Sequence, residues 1–179
     1  MKNIFVTALL FIAAIGFSQK YELGKVTIDE LKEKQCPRDT SAAAAVLFSI
    51  GKTSFDYSYD DGFQIITEIS TKIKIYKKEG YDYANHSEKI YIGGNGNEKV
   101  DVTKAVTYNL IGDKIEKTKL TGSGEFDEKV NKYWNRKKIA MPNVKVGSII
   151  EYKITITSPY ISNFPDWEFQ KDIPVNFSE

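Results

Sequence analysis

Polar and apolar residues alternate most strictly from Phe63 to Lys77, which reads FQIITEISTKIKIYK. Odd positions carry Phe63, Ile65, Ile69, Ile73 and Ile75, with Thr67 and Thr71 between them. Even positions carry Gln64, Glu68, Ser70, Lys72 and Lys74, and only Ile66 and Tyr76 interrupt the polar set. A period of two predicts a strand with one buried and one solvated face. Helical steps of three and four would land on Lys and Glu. A long two-faced strand belongs in an antiparallel sheet, and its apolar face needs a second layer, which predicts a sandwich.

The same pattern recurs along the chain. Ala42–Ile50 is an apolar run that reads as a buried strand ending at Gly51. Phe55, Tyr57 and Tyr59 alternate in the next segment, and Asp61-Gly62 is a hairpin signal. Lys89–Ile92 predicts a short strand, followed by a loop at Gly93–Asn97. Val100, Val102, Val106, Tyr108 and Leu110 fill the even positions of another strand, which Gly112-Asp113 turns into an exposed partner over Lys114–Leu120. Ile150, Tyr152, Ile154 and Ile156 alternate against Glu151, Lys153 and Thr155. Trp167, Phe169, Ile173 and Val175 read as one face of a last strand. Glu125–Lys138 is ambiguous, because Phe126, Val130, Tyr133 and Trp134 are spaced as on a helix face. Thr27 and Glu30 stand at capping-box spacing ahead of Leu31 and predict a short helix in the polar N-terminal segment. The fold expected is all-β, an immunoglobulin-like antiparallel β-sandwich with one or two short helices.

The N-terminus has a different logic. Met1-Lys2-Asn3 is a short basic start, Ile4–Ile15 is apolar, and Gly16 and Ser18 are small residues placed for cleavage near Ser18/Gln19. This is the pattern of a secretory signal peptide, shorter than the roughly 20 apolar residues of a membrane span. The expected organisation is a signal peptide over 1–18, a polar segment over 19–41, and a sandwich over 42–179 cut from a longer protein. The mature chain is expected to be periplasmic or secreted, with no transmembrane segment. Its single cysteine, Cys36, allows no internal disulfide, so burial alone must hold the fold.

Composition narrows the partners. Lys and Arg total 25 against 24 Asp and Glu, a net charge of +1, so nothing points to nucleic acid. No cofactor or metal is implied. Gly93-Gly94-Asn95-Gly96-Asn97 lacks the Lys-Ser/Thr of a phosphate loop, and the acidic residues Asp60-Asp61 and Glu98…Asp101 are too sparse for calcium. Cys36 and His86 are the sole residues of their kinds, the minimum for a thiol–imidazole pair. Cys36 stands before Pro37 in a polar linker and His86 in a polar stretch, so a surface thiol and a solvated imidazole are expected. Asn85-His86-Ser87 and Asn176-Phe177-Ser178 fit the glycosylation pattern, which is short and matches often by chance. Tyr81, Tyr83, Tyr133, Trp134 and Trp167, with Tyr160 and Phe164, lie outside the cleanest strands. They are the candidate interaction surface, against the plainer reading of core anchors.

Three stretches carry a family resemblance: SAAAAVLFSIGKTSFD at Ser41–Asp56, ISTKIKIYKKEGYDYA at Ile69–Ala84, and Val130–Val175 with NKYWNRKKIAMPNVKVGSIIEYKITITSPY and PDWEFQKDIPV. Together they resemble an uncharacterised domain that precedes transglutaminase-like domains in exported bacterial proteins. The turn and strand from Pro142 through Gly147 to Tyr152 is the most specific piece. The resemblance implies an immunoglobulin-like sandwich and a downstream papain-like Cys-His-Asp site in the same polypeptide. No position here matches that catalytic motif, so no catalytic residue is carried over. Two functions follow as expectations. One is a non-catalytic module partnered by the downstream transglutaminase-like domain. The other is a module that binds a peptide or glycan through exposed aromatics. An enzyme in its own right is the weakest reading.

Overall fold

A computed structural model describes residues 21–94 and 96–179. The signal-peptide reading over 1–18 lies outside the described residues. A capping box forms as the spacing predicts: Glu30 N–H donates to Thr27 Oγ1 at 3.1 Å and Thr27 N–H to Glu30 Oε2 at 2.8 Å, starting α1 (Ile28–Lys32). Eight strands follow: β1 (Ala44–Ser58), β2 (Gly62–Ile75), β3 (Asn85–Tyr91), β4 (Lys99–Ile111), β5 (Lys114–Lys119), β6 (Glu125–Lys129), β7 (Trp134–Ala140) and β8 (Ile149–Ser158). They make two antiparallel sheets, ordered β1-β2-β8-β4-β5 and β3-β7-β6. The fold is the expected all-β sandwich.

β2 sits inside the large sheet, paired with β1 on one side and β8 on the other. Its odd residues Ile65, Ile73 and Ile75 are buried, and Ala44, Val46, Ile150 and Ile154 join Ile73 and Ile75 in the core between the sheets, with Ile139 and Met141. The alternation fails at both ends of the strand. Phe63 is 60% exposed, at the end of β2 that lies beyond its pairing with β8. Lys72 and Lys74, expected on a solvated face, are buried. Residues 21–36 run as a strap over that face, and Leu31 packs there on Val106, Tyr108 and Ile149 in a second apolar cluster.

Two bulges redirect side chains. β1 does not stop at Gly51; it continues to Ser58, with its register shifted at Leu47. In β4 a shift at Thr103 leaves Val102 on the inter-sheet core and turns Val106 and Tyr108 to the strap. An extra residue in one strand exchanges the faces beyond it, so the even positions of β4 do not share one face. The helix-like spacing over Glu125–Lys138 resolves into the β6–β7 hairpin, with Lys129 opposite Asn135.

The predicted last strand through Trp167 and Phe169 does not form. Residues 159–172 are irregular and Phe169 is exposed. The chain regains order at Val175–Glu179, which lies beside β1 through parallel bridges Val46–Val175 and Ser49–Ser178. Tyr21 stacks on Phe177 with ring centroids 3.9 Å apart, and the Arg38 guanidinium donates to the Val175 carbonyl at 3.1 Å. The strap and Arg38 just after it thus clamp the C-terminal segment onto the edge of the large sheet.

Candidate functional site

The thiol and the imidazole lie apart. Cys36 is wholly buried in a small cluster with Ala42, Ala45 and Tyr76, on the strap side of the large sheet. This corrects the expectation of a surface thiol: the chain turns inward at Cys36 to close the end of the strap. His86 belongs to β3, and its ring lies 4.9 Å from that of Tyr152 on the inter-sheet side. Its Nε2 meets Glu88 Oε1 at 2.7 Å and its Nδ1 meets the Tyr152 hydroxyl at 3.2 Å. An ionised carboxylate only accepts, so a neutral His86 carries its proton on Nε2 and accepts from Tyr152 on Nδ1. The imidazole expected in solvent is therefore spent in a closed chain from Glu88 to Tyr152. Burial, with Glu88 adding to it against a lowering hydrogen bond from Thr71, pushes the Tyr152 hydroxyl up to about 12, so it stays a donor.

The strap covers a row of ionisable groups, each held by a specific partner. Lys72 Nζ lies 2.6 Å from Glu30 Oε1 and donates to the Lys25 carbonyl at 3.0 Å. Lys74 Nζ donates to the carbonyls of Leu31 at 2.9 Å and Gly147 at 2.6 Å. Burial lowers its pKa to about 8, against the opposing pull of Glu33 and Glu30. Glu151, fully buried, takes the Gly24 N–H at 2.6 Å and the Tyr108 hydroxyl at 3.1 Å on Oε2. Tyr76 donates to Glu33, and burial first and that bond second hold its hydroxyl well above the ordinary phenol range. A cleft of about 480 Å³ opens beside this row, lined by Tyr21, Glu22, Lys25, Glu30 and Phe48 among others. The lysines at its wall are already engaged, Lys25 with Glu22 at 3.0 Å and Lys72 with Glu30. Among the described residues no cluster of three His, Cys, Asp or Glu could hold a metal ion.

The five candidate surface aromatics fall into three places. Tyr81 and Tyr83 pack on the inter-sheet core from the turn before β3, and Tyr83 donates to Asp172 at 2.9 Å. Tyr133 and Trp134 lie at the β6–β7 turn, where Trp134 meets Tyr91 edge-on at 5.1 Å and Tyr91 meets Tyr160 at 5.3 Å. Trp167 lies over Gly51 of β1 and donates from Nε1 to Ser178 Oγ at 3.0 Å.

An exposed aromatic group lies at the tip of the β1–β2 hairpin. Phe55, Tyr57, Phe63 and Phe164 are each between 57 and 60% exposed. Phe55 meets Phe164 at 5.6 Å and Tyr57 meets Phe63 at 4.9 Å. Phe55 stands opposite Ile65 and Tyr57 opposite Phe63 in the ladder, so these rings continue the core face past the end of the small sheet. The sequence signal was present as Phe55-x-Tyr57-x-Tyr59, but alternation alone cannot tell a covered apolar face from a bare one.

Among the described residues no helix is long and apolar enough to cross a membrane. No protein-family model and no curated protein matches the chain. Among solved structures it is similar to one described as "a putative protease from Parabacteroides distasonis", at 10% identity and a TM-score of 0.51. The match covers 65% of this chain and 23% of that one, so it spans about a quarter of the neighbour's length. At this identity the likeness is one of fold.

Proposed function

We propose that this chain is a non-catalytic accessory and interaction domain of an exported protein that carries a transglutaminase-like catalytic domain elsewhere in the same polypeptide. One observation carries the reading: the sole thiol, Cys36, is sealed in the fold and the sole imidazole, His86, is held between Glu88 and Tyr152, while a broad aromatic face stays exposed. A fold shared with part of a far longer protein agrees with such a role. In this reading the domain orients or restricts access to its catalytic neighbour from the periplasm or outside the cell. The experiment is an assay of this chain for amide hydrolysis and amide transfer, with Cys36→Ala as control. No turnover is expected. Turnover lost in the alanine variant would overturn the proposal.

A second reading, a binding module for glycan or peptide, draws on the same exposed rings. Their geometry favours peptide. The Tyr57 and Phe63 rings are inclined at 55° and those of Phe55 and Phe164 at 85°, so they offer no flat platform for a sugar.

A further inference from the structure

β1 is the outer strand of the large sheet, and the described structure occupies only half of its free edge. Ser49 N–H donates to the Phe177 carbonyl at 3.0 Å, Glu179 N–H to the Ser49 carbonyl at 3.1 Å, and Gly51 N–H to the Glu179 carbonyl at 2.7 Å. In a strand, alternate residues aim their backbone groups at the same side. The outward set after Ser49 and Gly51 is therefore Thr53, Phe55 and Tyr57. Among the described residues no backbone group pairs with Thr53 or Phe55 on this side. Tyr57 N–H is taken by the carboxylate of its neighbour Asp56 at 2.9 Å, a side chain that can swing away.

From this edge we infer that β1 between Thr53 and Tyr57 receives an extended segment of a partner polypeptide as an added strand, in line with Val175–Glu179. An unpaired edge is a template for strand addition, and proteins that do not use one blunt it with proline, inward charge or a covering loop. Here the edge holds Thr53, Phe55 and Tyr57, and among the described residues neither proline nor a backbone partner closes it; Lys52 and Asp56 are its charged residues. The side chains beside it select the occupant. On the core face stand Phe55, Tyr57, Phe63 and Phe164, each more than half exposed. On the other face stand Lys52, Ser54, Asp56 and Ser58. The fitting segment alternates apolar residues toward the rings with polar residues toward that second face. The first half of the edge shows that the geometry works, since Val175–Glu179 already pairs with it through two isolated bridges and their backbone hydrogen bonds, held by Tyr21 and Arg38. The inference rests on reading the chain as an interaction domain and narrows that reading to one edge.

The probe is an acetylated, amidated nonapeptide alternating valine with lysine and threonine, added to the whole chain. Two further versions carry N-methyl groups, one on the valine amides and one on the amides between them. An added strand turns only one of these sets toward β1. Methylation of one set should weaken binding about tenfold or more, and methylation of the other should leave it unchanged. Thr53 and Phe55 amides should gain protection from hydrogen exchange when the parent peptide binds, and Phe63→Ser should weaken it with the fold intact. The proposal is overturned if those two amides stay unprotected at saturation, if both methylated peptides bind like the parent, or if sedimentation shows a second copy of the chain on the edge instead. Any of these results would leave the accessory-domain reading standing, because turnover by the chain tests that separately.

Discussion

The carboxylate of Glu151 accepts the backbone N–H of Gly24 at 2.6 Å, across 127 positions of sequence. It joins the centre of the large sheet to the start of the strap, and the same oxygen takes the Tyr108 hydroxyl. Removing a buried acceptor strands its donors and leaves a void. Glu151→Ala should therefore destabilise the chain by about 3 kcal/mol, and Gly24 should lose protection in hydrogen exchange. Glu151→Gln keeps one acceptor oxygen and should cost less. Urea midpoints of the two variants check the order.

Lys74 predicts an alkaline gain in stability. Burial lowers its pKa from 10.5 to about 8, so the unfolded chain holds a proton there that the folded chain gives up. Stability then rises with pH between about 8 and 10.5, by on the order of 3 kcal/mol. A neutral amine still has two N–H groups for the carbonyls of Leu31 and Gly147, so the fold keeps these bonds. Above pH 10 the sign reverses. Tyr76 and Tyr108 are held by burial above the ordinary phenol range, and the unfolded chain loses those protons first. Thermal melts from pH 7 to 11 should show a maximum near pH 10, and Lys74→Met should abolish the rise below it.

The period of two along β2 and β8 was enough to read a buried face, an antiparallel sheet and a facing layer. It could not show that Lys72, Lys74 and Glu151 would also be covered, because a charged residue on the second face of a strand looks the same whether water or a strap lies over it. The helix at Thr27–Glu30 was legible, and its docking site was not, since the partners of Glu30 and Leu31 lie far along the chain on β2, β4 and β8. Phe126, Val130, Tyr133 and Trp134 misled by spacing: two short strands and a tight turn place aromatics at nearly helical intervals. The bare hairpin tip depends on how far the facing small sheet reaches along β1 and β2, a tertiary fact that no local pattern records.

Cys36 gives a sensitive measure of strap docking. Its side chain is fully buried against Ala42, Ala45 and Tyr76, so a thiol reagent should not label the native chain, although nothing cross-links the thiol. Labelling should follow opening of the strap. Glu151→Ala should raise the rate at urea concentrations below global unfolding, because it cuts the strap's tie at Gly24. Equal rates for this variant and the parent chain, at matched stability, would show that strap and sandwich open only together.

Trp167 and Gly51 test how the irregular segment 159–172 is fixed. A Cβ at Gly51 would stand 2.6 Å from a carbon of the Trp167 ring, closer than real contacts allow. Gly51 is held in the ladder opposite Ile69 on one side and by the Glu179 carbonyl on the other, so β1 cannot give way. The ring must move, and it loses its hydrogen bond to Ser178 Oγ. Gly51→Ala should cost about 1–3 kcal/mol as an overpacked contact. In a Trp134→Phe background, which removes the other tryptophan, the emission of Trp167 should shift to the red as its indole enters water. The far-ultraviolet circular dichroism should stay unchanged, because the segment that moves holds no strand. A variant with unshifted emission and unchanged stability would mean that the ring does not rest on the glycine.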